Sequence, residues 1–100
     1  MARYYFQAQQ RLFEYLGYMI LIKEQYSPWS DTPGKPSFFH VFYVEKNKSA
    51  ILMLIARLSL EQINADVFKY GVKFQVIENE GFFNKHTIDW AVEKAKELID

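Results

Sequence analysis

The two histidines, His40 and His86, have the widest chemical range in this chain, since an imidazole can bind a metal ion or move a proton near neutral pH. His40 lies within an apolar run, and His86 precedes the C-terminal segment. Neither has a second histidine or a carboxylate at the spacing of a zinc-binding motif. We therefore expect no metal ion, and we interpret His40 as a hydrogen-bonded core residue and His86 as a surface residue.

Carboxylates and one glycine–lysine pair are the remaining candidates for catalysis or phosphate binding. Glu45, Glu78 and Glu80 fall at the ends of predicted strands, where two acids could act as general acid and base, but a sequence does not fix their separation. Gly34 and Lys35 lack the first glycine and the following hydroxyl residue of a P-loop. The sequence thus indicates no catalytic residue and no cofactor.

The composition narrows the class of partner and the cellular setting. Twelve basic residues balance twelve acidic residues, whereas a protein that binds nucleic acid through its phosphates normally has a basic surplus. The absence of cysteine excludes disulfides and favours an intracellular protein. The N-terminus has no signal-peptide pattern, and no apolar run approaches the roughly 20 residues that span a bilayer. We expect a cytoplasmic protein with neither a membrane nor a nucleic-acid partner.

Two apolar runs, 38–44 (FFHVFYV) and 50–56 (AILMLIA), dominate the middle of the chain. A strand with one wet face alternates apolar and polar residues, whereas a strand covered on both faces is continuously apolar. We interpret the runs as a hairpin of strands 38–45 and 50–58. Both faces of its sheet must then be covered, by helices of the chain or by another molecule.

Residues 49–58 have a second interpretation, a helix that begins at Ser49 and continues to Tyr70. Periodicity does not separate a strand from a helix in so short an apolar run. The segment Ser59-Leu60-Glu61-Gln62 has the pattern of a capping box, which marks a new helix start, and this favours the strand before it.

The remaining segments complete an α+β domain that spans residues 1–100. Apolar residues at helical spacing predict a helix over 3–16, and Gly17 would end it. A strand over 18–25, a loop over 26–37, a helix over 60–70, a strand over 72–78 and a final helix capped by Thr87 follow. The predicted order is α-β-β-β-α-β-α: two layers, with a mostly antiparallel sheet of about four strands and three helices.

Aromatic residues number eighteen in one hundred, more than a small core needs, and a surplus of this kind is typical of contact surfaces. We expect a small intracellular protein-interaction module that self-associates or binds another protein through an aromatic surface. The predicted contact residues lie beside the apolar stripe of the first helix, on the proline-braced loop and on the polar face of the last helix: Phe6, Phe13, Trp29 and Trp90.

Three other interpretations remain open. In a compact monomer the helices would cover both sheet faces, and Trp29 would close the core. In a small enzyme or ligand-binding domain, a pocket under the 26–37 loop would use His40, Glu45 and Glu78. In a weak nucleic-acid binder, Lys46 and Lys48 would contact the phosphates. For the interaction module itself, a short aromatic-rich chain without motifs suits an accessory or inhibitor protein of a virus or mobile element.

Overall fold

Four strands form one antiparallel sheet in which each strand pairs with the next along the chain. The computed structural model describes residues 9–26, 36–79 and 86–100. Its α-helices are α1 (Ala50–Arg57) and α2 (Ile88–Ile99), and short 3-10 helices cover Lys46–Lys48, Leu60–Gln62 and Ala65–Tyr70. The strands are β1 (Gln10–Tyr15), β2 (Tyr18–Gln25), β3 (Phe38–Glu45) and β4 (Lys73–Glu78).

The central strands β2 and β3 bury both of their faces. Helix α1 packs on one face and α2 on the other, and we call these the α1 face and the α2 face. The prediction that both sides of the run 38–44 are covered is therefore confirmed, with the chain's own helices as the cover. The predicted two-layer arrangement is wrong, because helices lie on both sides of the sheet. The buried residues of the α2 face are Ile20, Ile22, Phe39, Val41, Tyr43, Ile88, Ala91 and Ala95. Those of the α1 face are Leu21, Phe42, Val44, Leu52, Ile55, Val67 and Val72.

The helix predicted over 3–16 is wrong where the structure describes it, because residues 10–15 form β1. The hairpin turn to β2 consists of Leu16 and Gly17, with φ of 51° and 81°. Two consecutive left-handed residues give the turn whose twist matches a β-hairpin. Gly17 therefore reverses a strand, and the order of elements is β-β-β-α-β-α, without a leading helix among the described residues.

The strand predicted over 50–58 is also wrong, because residues 50–57 form α1. Strand β3 takes β2 and β4 as its partners, so both of its edges are occupied without this segment. Leu52 and Ile55 turn inward, while Met53 and Leu54 are exposed. The ammonium of Lys23 on β2 donates to the carbonyls of Ile55 and Ala56, and this positive group suits the end of a helix.

The capping box is present but begins a different element from the one predicted. The backbone N–H of Ser59 donates to the side chain of Gln62 at 2.9 Å, as a capping box requires. A 3-10 helix follows it, and a second one ends at Gly71 in the left-handed region, with φ of 87°. The single helix predicted over 60–70 is thus two short ones.

The C-terminal third follows the sequence pattern closely. Strand β4 and helix α2 lie where alternation and the Thr87 cap position predict them, and the fold is α+β as expected. Among the helices that the structure describes, none combines the length and the apolar character needed to cross a membrane.

Candidate interaction surface at the β4 edge

Helix α1 lies over β2 and β3 and leaves the α1 face of β4 partly uncovered. Phe74 lies opposite Phe42 and Val76 lies opposite His40 in the β3–β4 register, so all four side chains share the α1 face. Phe42 is buried, whereas Phe74 is 40% exposed and Val76 is 47% exposed. An edge strand here carries two large apolar side chains toward solvent.

Phe74 stands at the centre of a cluster of four rings. Its ring centroid lies 4.9 Å from that of Phe42, 5.6 Å from that of His40 and 6.0 Å from that of Phe68. The His40 ring is stacked on it with an interplanar angle of 15°. Contacts on three sides hold the Phe74 ring in one place, so its exposed side is a preformed apolar surface. We call Phe68, Phe74, Val76 and His40 the β4 surface.

His40 contributes an imidazole that is poor in polar contacts. Its Nδ1 is buried and has no hydrogen-bond partner among the described residues, which differs from the hydrogen-bonded core histidine that we expected. Burial lowers the pKa of His40 below its ordinary value, since the charged form loses hydration. The lowered pKa keeps the ring uncharged at pH 7, so His40 adds no charge to the β4 surface.

The exposed apolar side chains of the described residues are unevenly distributed. Nine large hydrophobic residues are exposed, and six of them lie on β4, on α1 or on the 3-10 helix Ala65–Tyr70. Single exposed hydrophobic residues are ordinary, but a concentration on one side of a small domain marks a contact region. The six are Met53, Leu54, Phe68, Tyr70, Phe74 and Val76.

An open cleft of about 710 Å³ lies between α1 and the 3-10 helix Ala65–Tyr70, near Gly71. Ile51, Leu54 and Tyr70 line it together with Lys48 and Lys69. Each lysine forms an ion pair with a carboxylate three residues earlier in the chain. The cleft is shallow and mixed in character, so it continues the apolar side of the molecule more than it defines a pocket.

The backbone of β4 has one edge that no strand of the described residues occupies. The N–H of Asn79 donates to the carbonyl of Ser37 at 3.0 Å, and in an antiparallel ladder every second residue repeats this direction. Lys73, Gln75 and Ile77 therefore bond to β3, while Phe74 and Val76 direct their N–H and C=O groups away from it. No strand pairs with that side of β4 in the ranges that the structure describes.

Two of the four predicted contact residues lie on the other side of the sheet. Phe13 and Trp90 are half-buried and pack against the α2-face core, and Trp90 lies on the His86 ring with centroids 4.1 Å apart. Phe6 and Trp29 lie outside the described residues. The role of these residues in partner contacts stays a prediction, and most of the exposed large hydrophobic residues of the described chain lie instead on β4, on α1 and on the 3-10 helix Ala65–Tyr70.

Sequence reasoning missed Phe74 and Val76 as surface residues. The alternation of 72–78 predicts a half-exposed strand with Phe74 and Val76 on one side and Lys73 and Gln75 on the other. The pattern locates the apolar side of a strand correctly but does not show whether a helix covers it. Their position on an edge strand was the available signal.

The residues proposed for a pocket do not converge. Glu45 lies five residues from His40 on β3, which is about 17 Å along a strand, and it points to the opposite face. Glu78 lies near His40 but is exposed at the end of β4. No group of three or more histidine and acidic residues among the described residues is arranged to hold a metal ion.

One buried carboxylate, Glu24, lies at the end of β2, close to the start of the predicted loop. It accepts hydrogen bonds from the backbone N–H of Gln9 at 2.7 Å and from the hydroxyl of Tyr26 at 3.0 Å. Burial, followed by the charge of Glu24, raises the pKa of Tyr26 to about 12. These bonds tie the start of β1 to the end of β2, which is a structural role.

Comparisons with known proteins add no relative to this geometry. No protein-family model, no curated protein and no solved structure matches the chain.

Proposed function

We propose that this domain is a protein-interaction module that self-associates through the β4 surface. The observation that carries the proposal is the exposure of Phe74 and Val76 on an edge strand whose outward backbone groups are unpaired among the described residues. Removing such side chains from water is favourable, at about 25 cal/mol for each Å² of apolar surface.

A second copy of the chain is the occupant that the charges favour. The formal net charge is zero, so two copies approach each other without the repulsion that separates strongly charged domains. The β4 surface itself contains no charged side chain at neutral pH, because burial keeps His40 in its neutral form. The β4 surfaces of two copies can therefore pack together without burying charges of the same sign.

A non-enzymatic role is part of the proposal. Glu45 points to the face opposite His40, and Glu78, although on the His40 face, is exposed at the end of β4, so the three residues do not converge on one enclosed site. Glu24, the buried carboxylate of the described residues, accepts hydrogen bonds that hold two strands together. With the acidic residues and His40 set aside as an acid–base site, the remaining candidate for function is the apolar β4 surface.

The test is the solution mass from light scattering coupled to size exclusion, from low micromolar to millimolar protein. We expect the mass to rise from 11.9 kDa toward twice that value. Phe74→Asp and Val76→Asp should stay monomeric and folded, since both side chains are substantially exposed and a charge in the contact must be desolvated.

Leu16→Asp is the matched control, because Leu16 is 63% exposed and lies in the β1–β2 turn away from β4. Aspartate also tolerates the left-handed backbone there. This variant should dimerise like the parent chain. A parent chain that is monomeric at every concentration would contradict the proposal, as would a Leu16→Asp variant that dissociates as readily as Phe74→Asp.

A further inference from the structure

We propose that two copies join β4 to β4 in antiparallel orientation, about a two-fold axis at Gln75, and so form one continuous eight-stranded sheet. This inference rests on the proposed self-association and adds its geometry: the contact is edge to edge and not face to face. The backbone direction, the side-chain pairs and the charge distribution of β4 each support it.

The backbone direction selects the residues that can pair. Phe74 and Val76 direct their N–H and C=O groups to the free edge, as the ladder direction set by Asn79 and Ser37 requires. With Gln75 on the axis, Phe74 of one copy lies opposite Val76 of the other, and the reverse pair follows by symmetry. Each pair can exchange two hydrogen bonds between outward-pointing groups.

The same arrangement places favourable side chains together. A two-fold axis normal to the sheet keeps the α1 faces of both copies on one side, so Phe74 packs beside Val76 of the second copy twice over. Pairs of an aromatic and a β-branched side chain are among those that stabilise antiparallel strands. The most exposed part of the β4 surface becomes the seam of the longer sheet.

The charges of β4 suit pairing with a copy of itself. Lys73 and Glu78 lie at opposite ends of β4, so antiparallel pairing places Lys73 opposite Ile77 and Glu78 opposite Val72 of the other copy, and no like charges face each other. The four residues between them include no charge and no proline, the devices that normally protect an edge. On the α2 side, Lys94 and Glu97 flank the strand as an ion pair with an N–O distance of 3.7 Å, so that flank is neutral.

Cysteine cross-linking tests the geometry, since the chain has no cysteine of its own. Opposite residues of a pair without mutual hydrogen bonds have Cα atoms about 4.5 Å apart, within the range of about 4.4–6.8 Å that a disulfide spans. Gln75 faces its own copy in such a pair. Gln75→Cys should therefore form a covalent dimer under mild oxidation.

Lys73→Cys is the matched control on the same strand and the same face. In the proposed register Lys73 lies opposite Ile77, so two such cysteines are offset by four residues, about 13 Å along the strand. We expect no disulfide from this variant. Equal cross-linking of both variants, or none from Gln75→Cys in a chain that dimerises, would overturn the edge-to-edge geometry.

A proline substitution gives an independent measurement. The N–H of Val76 points away from β3, so Val76→Pro removes a bond of the seam and none of the β3–β4 ladder, and an edge strand tolerates proline at such a position. This variant should keep the circular dichroism of the parent chain and lose the dimer. If the parent chain and the Val76→Pro variant each dimerise, edge pairing is contradicted and the proposed function stands. If the parent chain is monomeric, both proposals are contradicted.

Discussion

The two edges of the sheet differ in how their outer strands are occupied. Strand β1 carries charged and polar side chains that are engaged with other elements of the chain, whereas the middle of β4 is uncharged and faces solvent. The contacts of β1 are Arg11 with Asp89 at 3.0 Å, Glu14 with Lys46 at 3.1 Å, and the Tyr15 hydroxyl donating to Asp100 at 2.8 Å. Charges on an edge oppose pairing with another chain, so β1 is protected, whereas the middle of β4 lacks such charges and has no outer strand among the described residues.

The difference extends to the apolar side chains of the two strands. Phe13 on β1 packs against the core under α2, whereas Phe74 on β4 projects beyond the cover of α1. Phe13 stands between Leu12 and Glu14, Phe74 stands between Lys73 and Gln75, and both phenylalanines belong to edge strands. The comparison shows that the position of a helix on the sheet decides which phenylalanine stabilises the monomer and which is available for association.

The largest effect that we expect comes from truncating these two side chains. Phe13→Ala should lower the free energy of unfolding by about 2 kcal/mol, less than for a fully buried phenylalanine, at every protein concentration. Phe74→Ala should cost the monomer less, because its side chain is partly exposed. It should also abolish the concentration dependence of the unfolding midpoint, which a dimer shows and a monomer does not.

Urea denaturation at two protein concentrations a hundredfold apart measures both quantities. The contrast between the edges would fail if Phe13→Ala changed the concentration dependence as much as Phe74→Ala. It would fail equally if the parent chain had the same midpoint at both concentrations.

A smaller effect concerns the pH dependence of stability at the β4 edge. Burial holds the pKa of His40 below its ordinary value of 6.5, so in acid the unfolded chain binds a proton more readily than the folded one. The contribution is fully present above pH 6.5 and is lost as the pH falls through the pKa of the folded state. We expect His40→Phe, which keeps a ring against Phe74, to flatten the fall in stability below pH 6.5.

The measurement is the free energy of unfolding at a series of pH values between neutrality and mild acid. His86→Phe serves as a control on the α2 side, where the ring lies on Trp90. If the His40→Phe profile ran parallel to that of the parent chain, the buried imidazole would have no part in the acid sensitivity of this edge.

Some elements could be predicted from the sequence alone, because their local residue pattern fits only a helix or only a strand. The alternation of 72–78 and the helical spacing after Thr87 each fit one structure only, and β4 and α2 form there. The unbroken apolar run at 38–44 also predicts a strand covered on both faces, as β3 is.

The remaining elements depended on partners that a local pattern does not reveal. Residues 10–15 fit a helical stripe, but pairing with β2 gives them a ladder of hydrogen bonds, and the turn at Gly17 closes it. Residues 50–57 fit both structures, and they form a helix where β3 already has a strand on each side. Phe74 is exposed because α1 covers β2 and β3 but leaves β4 partly uncovered. The candidate site could therefore not be located before the packing was known.

The smallest effect that we expect is from the ion pair that holds the outer side of β1. Arg11 and Asp89 are 3.0 Å apart, but their side chains are 43% and 79% exposed, and such pairs contribute at most about 0.5 kcal/mol after solvent screening. Arg11→Ala should lower the free energy of unfolding within that range, and less in high salt. Lys69→Ala, which removes an exposed pair within one 3-10 helix, is the control for a general charge effect.

For the Arg11→Ala variant, the oligomeric state should be measured as well as the free energy of unfolding. If the charges of β1 serve mainly to keep that edge from pairing, then removing one of them should leave the monomer nearly as stable and yet allow species larger than a dimer at high concentration. Val76→Lys, which places a charge on β4, should have the opposite effect and keep the chain monomeric. Growth beyond a dimer requires that β1 pairs as well as β4. If the Arg11→Ala variant remains strictly dimeric, the remaining charge and contacts of β1 are sufficient to prevent pairing at that edge.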